Sequence, residues 1–146
     1  VGGHCIAVDP WFIVHAGGEF AKLIKTARQV NNYKTEWVIE KIKNSILTFE
    51  KEKGKKPKVA CMGLAFKPDI DDLRESPALY ITRRLMAEGF DILAVEPNIE
   101  THKEFELVNY KEALKIADIV VFLVAHKEFK GIIKQENYLD FCGVLN

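Results

Sequence analysis

Long apolar runs are missing from this 146-residue chain, and so is any excess of charge of one sign. The best candidate for such a run, residues 117–125, has the length of a strand and is too short to cross a bilayer. Lys plus Arg and Asp plus Glu number 21 each, so nothing calls for nucleic acid or a membrane surface as partner. Cysteine is scarce. Cys5, Cys61 and Cys142 are odd in number and widely spaced, which argues against a disulfide framework and for a reducing, cytoplasmic setting. No Cys-x-x-Cys pair is present, so a thiol redox protein is a poor reading. No second His/Cys pair stands at metal-ligand spacing, so no metal is expected. The three-glycine dinucleotide fingerprint is also absent. What remains is 48% hydrophobic and 29% charged, the profile of one folded domain with its own core.

Organisation follows from periodicity. Residues 1–18 read as a loop with an aromatic exit, Trp11-Phe12-Ile13-Val14, closed by Gly17-Gly18. From residue 19 to 54 the apolar residues recur at helical spacing without proline or glycine until Gly54. An unbroken helix there would be about 50 Å long, suited to bridging domains or packing on a symmetry mate. Asn31-Asn32 leaves a bend or a two-helix reading open. Residues 55–146 alternate strand and helix. Strands are expected near 58–64, 90–95, 119–124 and 138–142, with helices at 77–88, 110–116 and briefly after His126. Ser76-Pro77 is a helix start, and Gly89 is its stop. Such alternation implies an α/β fold, a long helix followed by a Rossmann-like parallel sheet.

Two segments carry chemistry. In Val-Gly-Gly-His-Cys5 the glycine pair lets backbone N–H groups approach a ligand, and presents the thiol to a bound carbonyl. Asp9 follows as a polar partner, and Pro10 stiffens the exit. A catalytic loop does not normally open a protein, so the chain reads as a piece of something longer. The second segment, Gly63 to Pro77, follows the first strand, where ligands of open parallel sheets sit. Its Lys67 and Arg74 suit phosphate or carboxylate groups. A solvated turn with local ion pairs among Asp69, Asp71, Asp72 and Arg74 is the plainer alternative. Glu96 sits where a ribose-binding acid would stand, or is a simple strand end. His126, after the third apolar strand, stands at a carboxyl end where it would line the cleft, though a helix cap or surface role is the plainer reading, while Cys61 and Cys142 read as core.

The order Gly-Gly-His-Cys-Ile-Ala-Val-Asp-Pro-Trp-Phe, then Gly-Leu-Ala-Phe-Lys-Pro-Asp-Ile-Asp-Asp-Leu-Arg-Glu-Ser-Pro, resembles the UDP-glucose/GDP-mannose dehydrogenase family. Ala27-Arg-Gln-Val-Asn31 and Asp140-Phe-Cys-Gly extend the likeness over essentially the whole chain. His4 and Val8-Asp9-Pro10 resemble the branch acting on UDP-N-acetylhexosamines, N-acetyl-D-mannosamine above all; UDP-N-acetylglucosamine or UDP-glucose are the alternative substrates. The resemblance implies oxidation of the sugar C6 alcohol to a carboxylate by two NAD⁺, through a thiohemiacetal and a thioester on Cys5. It places Gly2, Phe66 and Lys67 at the UDP-sugar, Asp9 at the reacting centre and Arg74 at NAD. It also implies a homodimer built on the long helix, and an NAD-binding domain and further catalytic residues upstream of Val1. A non-catalytic UDP-sugar binding or dimerisation module is the rival from another class.

Overall fold

The structure, a computed structural model, describes residues 2–145. Helix α1 spans His4–Gly17 and is joined by a single 3-10 turn, Gly18–Ala21, to α2, Lys22–Lys53. The sheet then begins with β1, Lys58–Met62, followed by α3, Pro77–Ala87, and β2, Asp91–Val95. Helix α4, Tyr110–Ile116, leads to β3, Ile119–Phe122, and β4, Tyr138–Asp140, closes the fold. The strand order is β2-β1-β3-β4, and every pairing is parallel. The chain therefore steps from β1 outward to β2, then returns across β1 to β3. That reversal leaves a crevice at the carboxyl ends of β1 and β3.

Period-two alternation sorts the strands onto two faces. Val59, Cys61, Ile119 and Val121 face α2 and α3, where they meet Val38, Ile39, Ile42, Ile46, Ile81 and Leu85. Ala60, Met62, Val120 and Phe122 face the other way, onto Ala113, Phe129 and Tyr138. All eight strand residues are buried, as a parallel sheet covered on both sides requires. Burial also holds the Cys61 thiol up at about 12, so it is inert core, as its place inside a strand implied. Helix α3 starts as Ser76-Pro77 predicts: the Ser76 hydroxyl accepts from the Leu79 N–H at 3.3 Å, and proline occupies the first turn.

One expectation needs correction, and one question left open is answered. Residues 4–17 are not a loop but a helix, with Pro10 inside it. Gly2-Gly3 and Pro10 read as breakers, yet proline's cost is confined to one missing N–H and a local clash, and α1 is held by packing along α2. The long helix also runs unbroken through Asn31-Asn32, for about 48 Å over its 32 residues. Asparagine is a weak helix former but no breaker, and Asn32 there accepts from Arg28 one turn earlier. Gly54, at φ 68°, ends the helix, and its N–H returns to the Glu50 carbonyl. β1, β3 and β4 stop two residues short of their expected ends, β2 starts one residue late and ends as expected, and the helix after His126 is one 3-10 turn, Lys127–Phe129.

The two halves of α2 differ. Its second half buries Val38, Ile39, Ile42 and Ile46 on the sheet, whereas Leu23, Val30 and Tyr33 in the first half stand exposed. Ile42→Ala is therefore expected to cost about 2–5 kcal/mol in urea unfolding. Leu47→Ala, on the exposed side of the same turn, is expected to stay within about 0.5 kcal/mol. Equal costs would mean that this half of the helix is not seated on the sheet.

Candidate functional site

At the crevice, β1 and β3 leave the sheet almost in contact. Gly63 has φ 92°, donates its N–H to the Val95 carbonyl at 2.8 Å, and would bring a Cβ within 2.6 Å of Val124 Cβ. Only glycine fits there. Beyond it opens a cleft of about 310 Å³, lined by Gly2, Phe66, Lys67, Ala78, Leu123 and Val124 among others. Three residues singled out from the sequence, Gly2, Phe66 and Lys67, thus share one cavity. Lys67 is exposed and holds its ammonium 5.6 Å from the Phe66 ring centre. Cys142, on the far wall, donates its thiol hydrogen to Asp140; burial and that carboxylate push it up to about 12.

A buried polar clasp fixes the loop that forms this cleft. Glu96, at the end of β2, accepts from the N–H groups of Leu64 and Ala65 at 2.8 and 2.9 Å and from Asn98 at 3.0 Å. His126, fully buried after β3, brings Nε2 to 3.1 Å from the same carboxylate. Its Nδ1 accepts from the Asp69 N–H at 3.0 Å, so the ring proton sits on Nε2 and is donated to Glu96. Asp69 in turn accepts from the Lys127 N–H at 2.8 Å while its own backbone takes φ 59°. Burial alone would raise the Glu96 carboxyl, but His126 and the N–H groups of Leu64 and Asn98 outweigh it and pull it down to about 2.

This clasp went unseen in the sequence. Glu96 is neither a free ribose acceptor nor a bare strand end, and His126 lies in the interior, with its side chain capping nothing. The two are 30 residues apart and meet only because β2 and β3 flank β1. Among the described residues, Asp69, His126 and Glu128 also bring one potential metal ligand each within 4.8 Å of one another. The His126 Nδ1 lone pair is already engaged in the clasp, whereas the buried Glu128 Oε2 has no hydrogen-bond partner.

The amino-terminal residues dock on the same loop. Gly2 and Gly3 are buried, and they serve close packing rather than the open approach to a ligand expected of them. A Cβ on Gly2 would strike the Glu75 carbonyl and lie 2.6 Å from Pro77 Cδ; one on Gly3, at φ 94°, would lie 2.9 Å from the Phe66 ring. Cys5 follows, exposed in the first turn of α1, with Sγ 3.8 Å from His4 Nδ1. Asp9 is exposed one helical turn beyond it, on the same side of α1. Arg74 does not line the cleft; its guanidinium grips Asp72 through Nε and Nη2 at 2.6–3.0 Å. That grip lowers the Asp72 carboxyl to about 2 and raises Arg74. His4 lies near enough to Asp72, and Cys5 to Arg74, to bear on them electrostatically, so the two pairs share one neighbourhood.

The UDP-binding domain of the UDP-glucose/GDP-mannose dehydrogenase family matches residues 60–146. The chain belongs to that family. The UDP-N-acetyl-D-mannosamine dehydrogenase of Campylobacter jejuni is 50% identical over 97% of the chain, and that of Yersinia pestis 49% over 99%. The NDP-N-acetyl-D-galactosaminuronic acid dehydrogenase of Ralstonia solanacearum is 49% identical over 90%. The chain spans 35%, 37% and 31% of the length of these three relatives. Among solved structures, the UDP-N-acetyl-mannosamine dehydrogenase Cap5O of S. aureus superposes with a TM-score of 0.77 at 32% identity. The match covers 99% of this chain and 38% of that one. A Pyrococcus horikoshii structure shares the fold at TM-score 0.79 and 24% identity, covering 100% of this chain and 36% of its own. No helix among the described residues is long and apolar enough to cross a membrane.

In this family member the clasp sets an acid limit on stability. The Glu96 carboxyl titrates lower in the folded chain than in the unfolded one. Its contribution is complete above about pH 5 and is lost as pH falls toward 2. Glu96→Gln is expected to lose on the order of 3 kcal/mol at pH 7 and to flatten the acid limb of a pH-dependent urea melt. An unchanged acid limb would show that the carboxylate is not held as described.

Proposed function

We propose that the cleft takes the UDP moiety of UDP-N-acetyl-D-mannosamine, and that Cys5 is the nucleophile in its NAD⁺-dependent oxidation at C6 to the uronate. The observation that carries this reading is the close packing of Gly2-Gly3 on Phe66 and on the Glu75–Pro77 turn. It seats the first turn of α1, and with it the thiol, on the loop that supplies Phe66 and Lys67. In this reading Lys67 faces the diphosphate, Phe66 and Gly2 wall the cleft, and Asp9 assists or orients water one turn from the sulfur. The curated relatives named for UDP-N-acetyl-D-mannosamine, at about half identity, favour that sugar.

The oxidation takes four steps. C6 gives a hydride to one NAD⁺ and its hydroxyl a proton to solvent, leaving an aldehyde. The Cys5 thiol adds to that carbonyl, forming a carbon–sulfur bond and a thiohemiacetal. A second hydride passes to a second NAD⁺ and a proton leaves, which yields a thioester. Water cleaves the carbon–sulfur bond, releasing the carboxylate and a proton and restoring the thiol. The oxyanion formed on addition lies beside the unpaired first-turn N–H groups of α1, which favour negative charge.

NAD⁺ enters as a second substrate. The residues at the crevice do not form a dinucleotide cradle: Gly63 is the only glycine between β1 and α3, and it packs on Val124. Arg74, which shares the neighbourhood of Cys5, is the group of this chain we assign to the dinucleotide. We further propose a homodimer through α2, where Leu23 and Val30, with Phe20 in the 3-10 turn before them, leave an apolar stripe in the open at helical spacing. Three free thiols suit a cytoplasmic enzyme.

The test is a stoichiometry. Enzyme containing this chain, given UDP-N-acetyl-D-mannosamine and NAD⁺, is expected to form two NADH per uronate. Cys5→Ala is expected to lower that turnover at least about a thousandfold while UDP binding by calorimetry is unchanged. Full activity in the Cys5→Ala enzyme would overturn the nucleophile, and UDP binding indifferent to Lys67→Ala would overturn the cleft.

A further inference from the structure

The proposed nucleophile has a neighbour that none of the four steps employs. His4 opens α1 directly after Gly3, whose close approach to the Phe66 ring fixes where the helix begins. The packing that seats Cys5 therefore seats an imidazole beside it, with Nδ1 3.8 Å from Sγ. Sulfur is a large donor, and contacts between a nucleophile and its base stand long without substrate and tighten when it binds. Both residues are exposed, so neither side chain is committed to the core.

A thiol hydrogen directed at Nδ1 needs the lone pair there, which puts the ring proton of the neutral imidazole on Nε2. The charged groups around the pair come from two elements. The β1–α3 loop supplies Asp72, which bears electrostatically on His4, and Arg74, which bears on Cys5. Helix α1 supplies Asp9, one turn beyond the sulfur. Asp72 is held in place by the grip of Arg74. A fixed carboxylate favours the imidazolium that forms when His4 takes up a proton, and the guanidinium favours negative charge on the sulfur. A nucleophile, a base beside it and an acid bearing on the base is an arrangement that activates thiols and hydroxyls on unrelated folds.

We propose that His4 is the acid–base catalyst that serves Cys5, an inference that rests on the nucleophilic role given to that thiol. As the sulfur bonds to C6 of the aldehyde, the thiol proton passes to His4 Nδ1. From there it goes to the C6 oxygen, which becomes the thiohemiacetal hydroxyl. When the second hydride leaves C6 for NAD⁺, Nδ1 accepts the hydroxyl proton and sheds it to solvent. In the last step water adds to the thioester carbon and gives a proton to Nδ1, which returns it to the sulfur as the carbon–sulfur bond breaks. The new carboxyl group releases its own proton to solvent. The first hydride transfer makes no use of the pair.

The experiment times the two NADH molecules apart, by stopped-flow absorbance, in enzyme containing this chain with UDP-N-acetyl-D-mannosamine and NAD⁺. His4→Ala is expected to form the first NADH at the unmutated rate, while steady turnover falls about a hundredfold. Added imidazole is expected to restore part of that turnover, and more of it as pH rises through the histidine range. His4→Asn keeps a hydrogen-bonding atom near the place of Nδ1 but cannot take up a proton, and is expected to be as slow as His4→Ala. UDP binding by calorimetry is expected to be unchanged in both. A His4→Asn enzyme as fast as the unmutated one overturns the proposal. So does a first NADH slowed as much as the second, which is the mark of a structural role. Cys5→Ala tells the two levels apart: full activity there removes the nucleophile itself, whereas an inactive Cys5→Ala beside a fully active His4→Ala overturns the role of His4 alone.

Discussion

The meeting of Gly2-Gly3 with Phe66 and the Glu75–Pro77 turn is the constraint on which the functional geometry depends. Without it the main contacts of α1 would be with α2 and the Gly18–Ala21 turn, and Cys5 would lose its tie to the loop after β1. Two residues without Cβ let a backbone segment lie directly on a carbonyl and an aromatic ring. Shape complementarity therefore does here what a longer interface would otherwise need to do. The Cys5 sulfur is positioned by the close packing of uncharged groups.

The other side of that contact is held by chemistry of the opposite kind. Glu96 and His126 are fully enclosed, and each hydrogen bond they make goes to the start of the β1–α3 loop or to the strand ends beside it. A buried carboxylate is tolerable only with its lone pairs satisfied, and this one gathers backbone N–H groups from two loops. The loop carrying Phe66 and Lys67 is thus rigid where it leaves the sheet and exposed where a ligand would meet it. Arg28, by contrast, is a buried charge with a donor left over, and it stands behind the same loop.

Much of the fold was legible because its signals are local. The apolar run at 119–122 needs no context to read as a strand buried on both faces, and Ser76-Pro77 caps α3 with its own side chains. Helix α1 was misread for an equally physical reason: Gly2, Gly3 and Pro10 are breakers by local rule, and only contact with α2 and the loop overrides them. Placing Gly2, Phe66 and Lys67 together was within reach of motif and topology. The Glu96–His126 clasp was not, since strand order alone brings the pair together. Arg28 did leave a trace, as a charged residue on a stripe of apolar ones, but the stripe was read for its hydrophobicity.

A crystal structure of the chain soaked with UDP tests the central claim most directly. The account predicts the diphosphate against Lys67 and Phe66 at the carboxyl ends of β1 and β3, with the Cys5 sulfur opening onto the same space. UDP seated on another face of the sheet, or a Cys5 turned away from the occupied cleft, would contradict it.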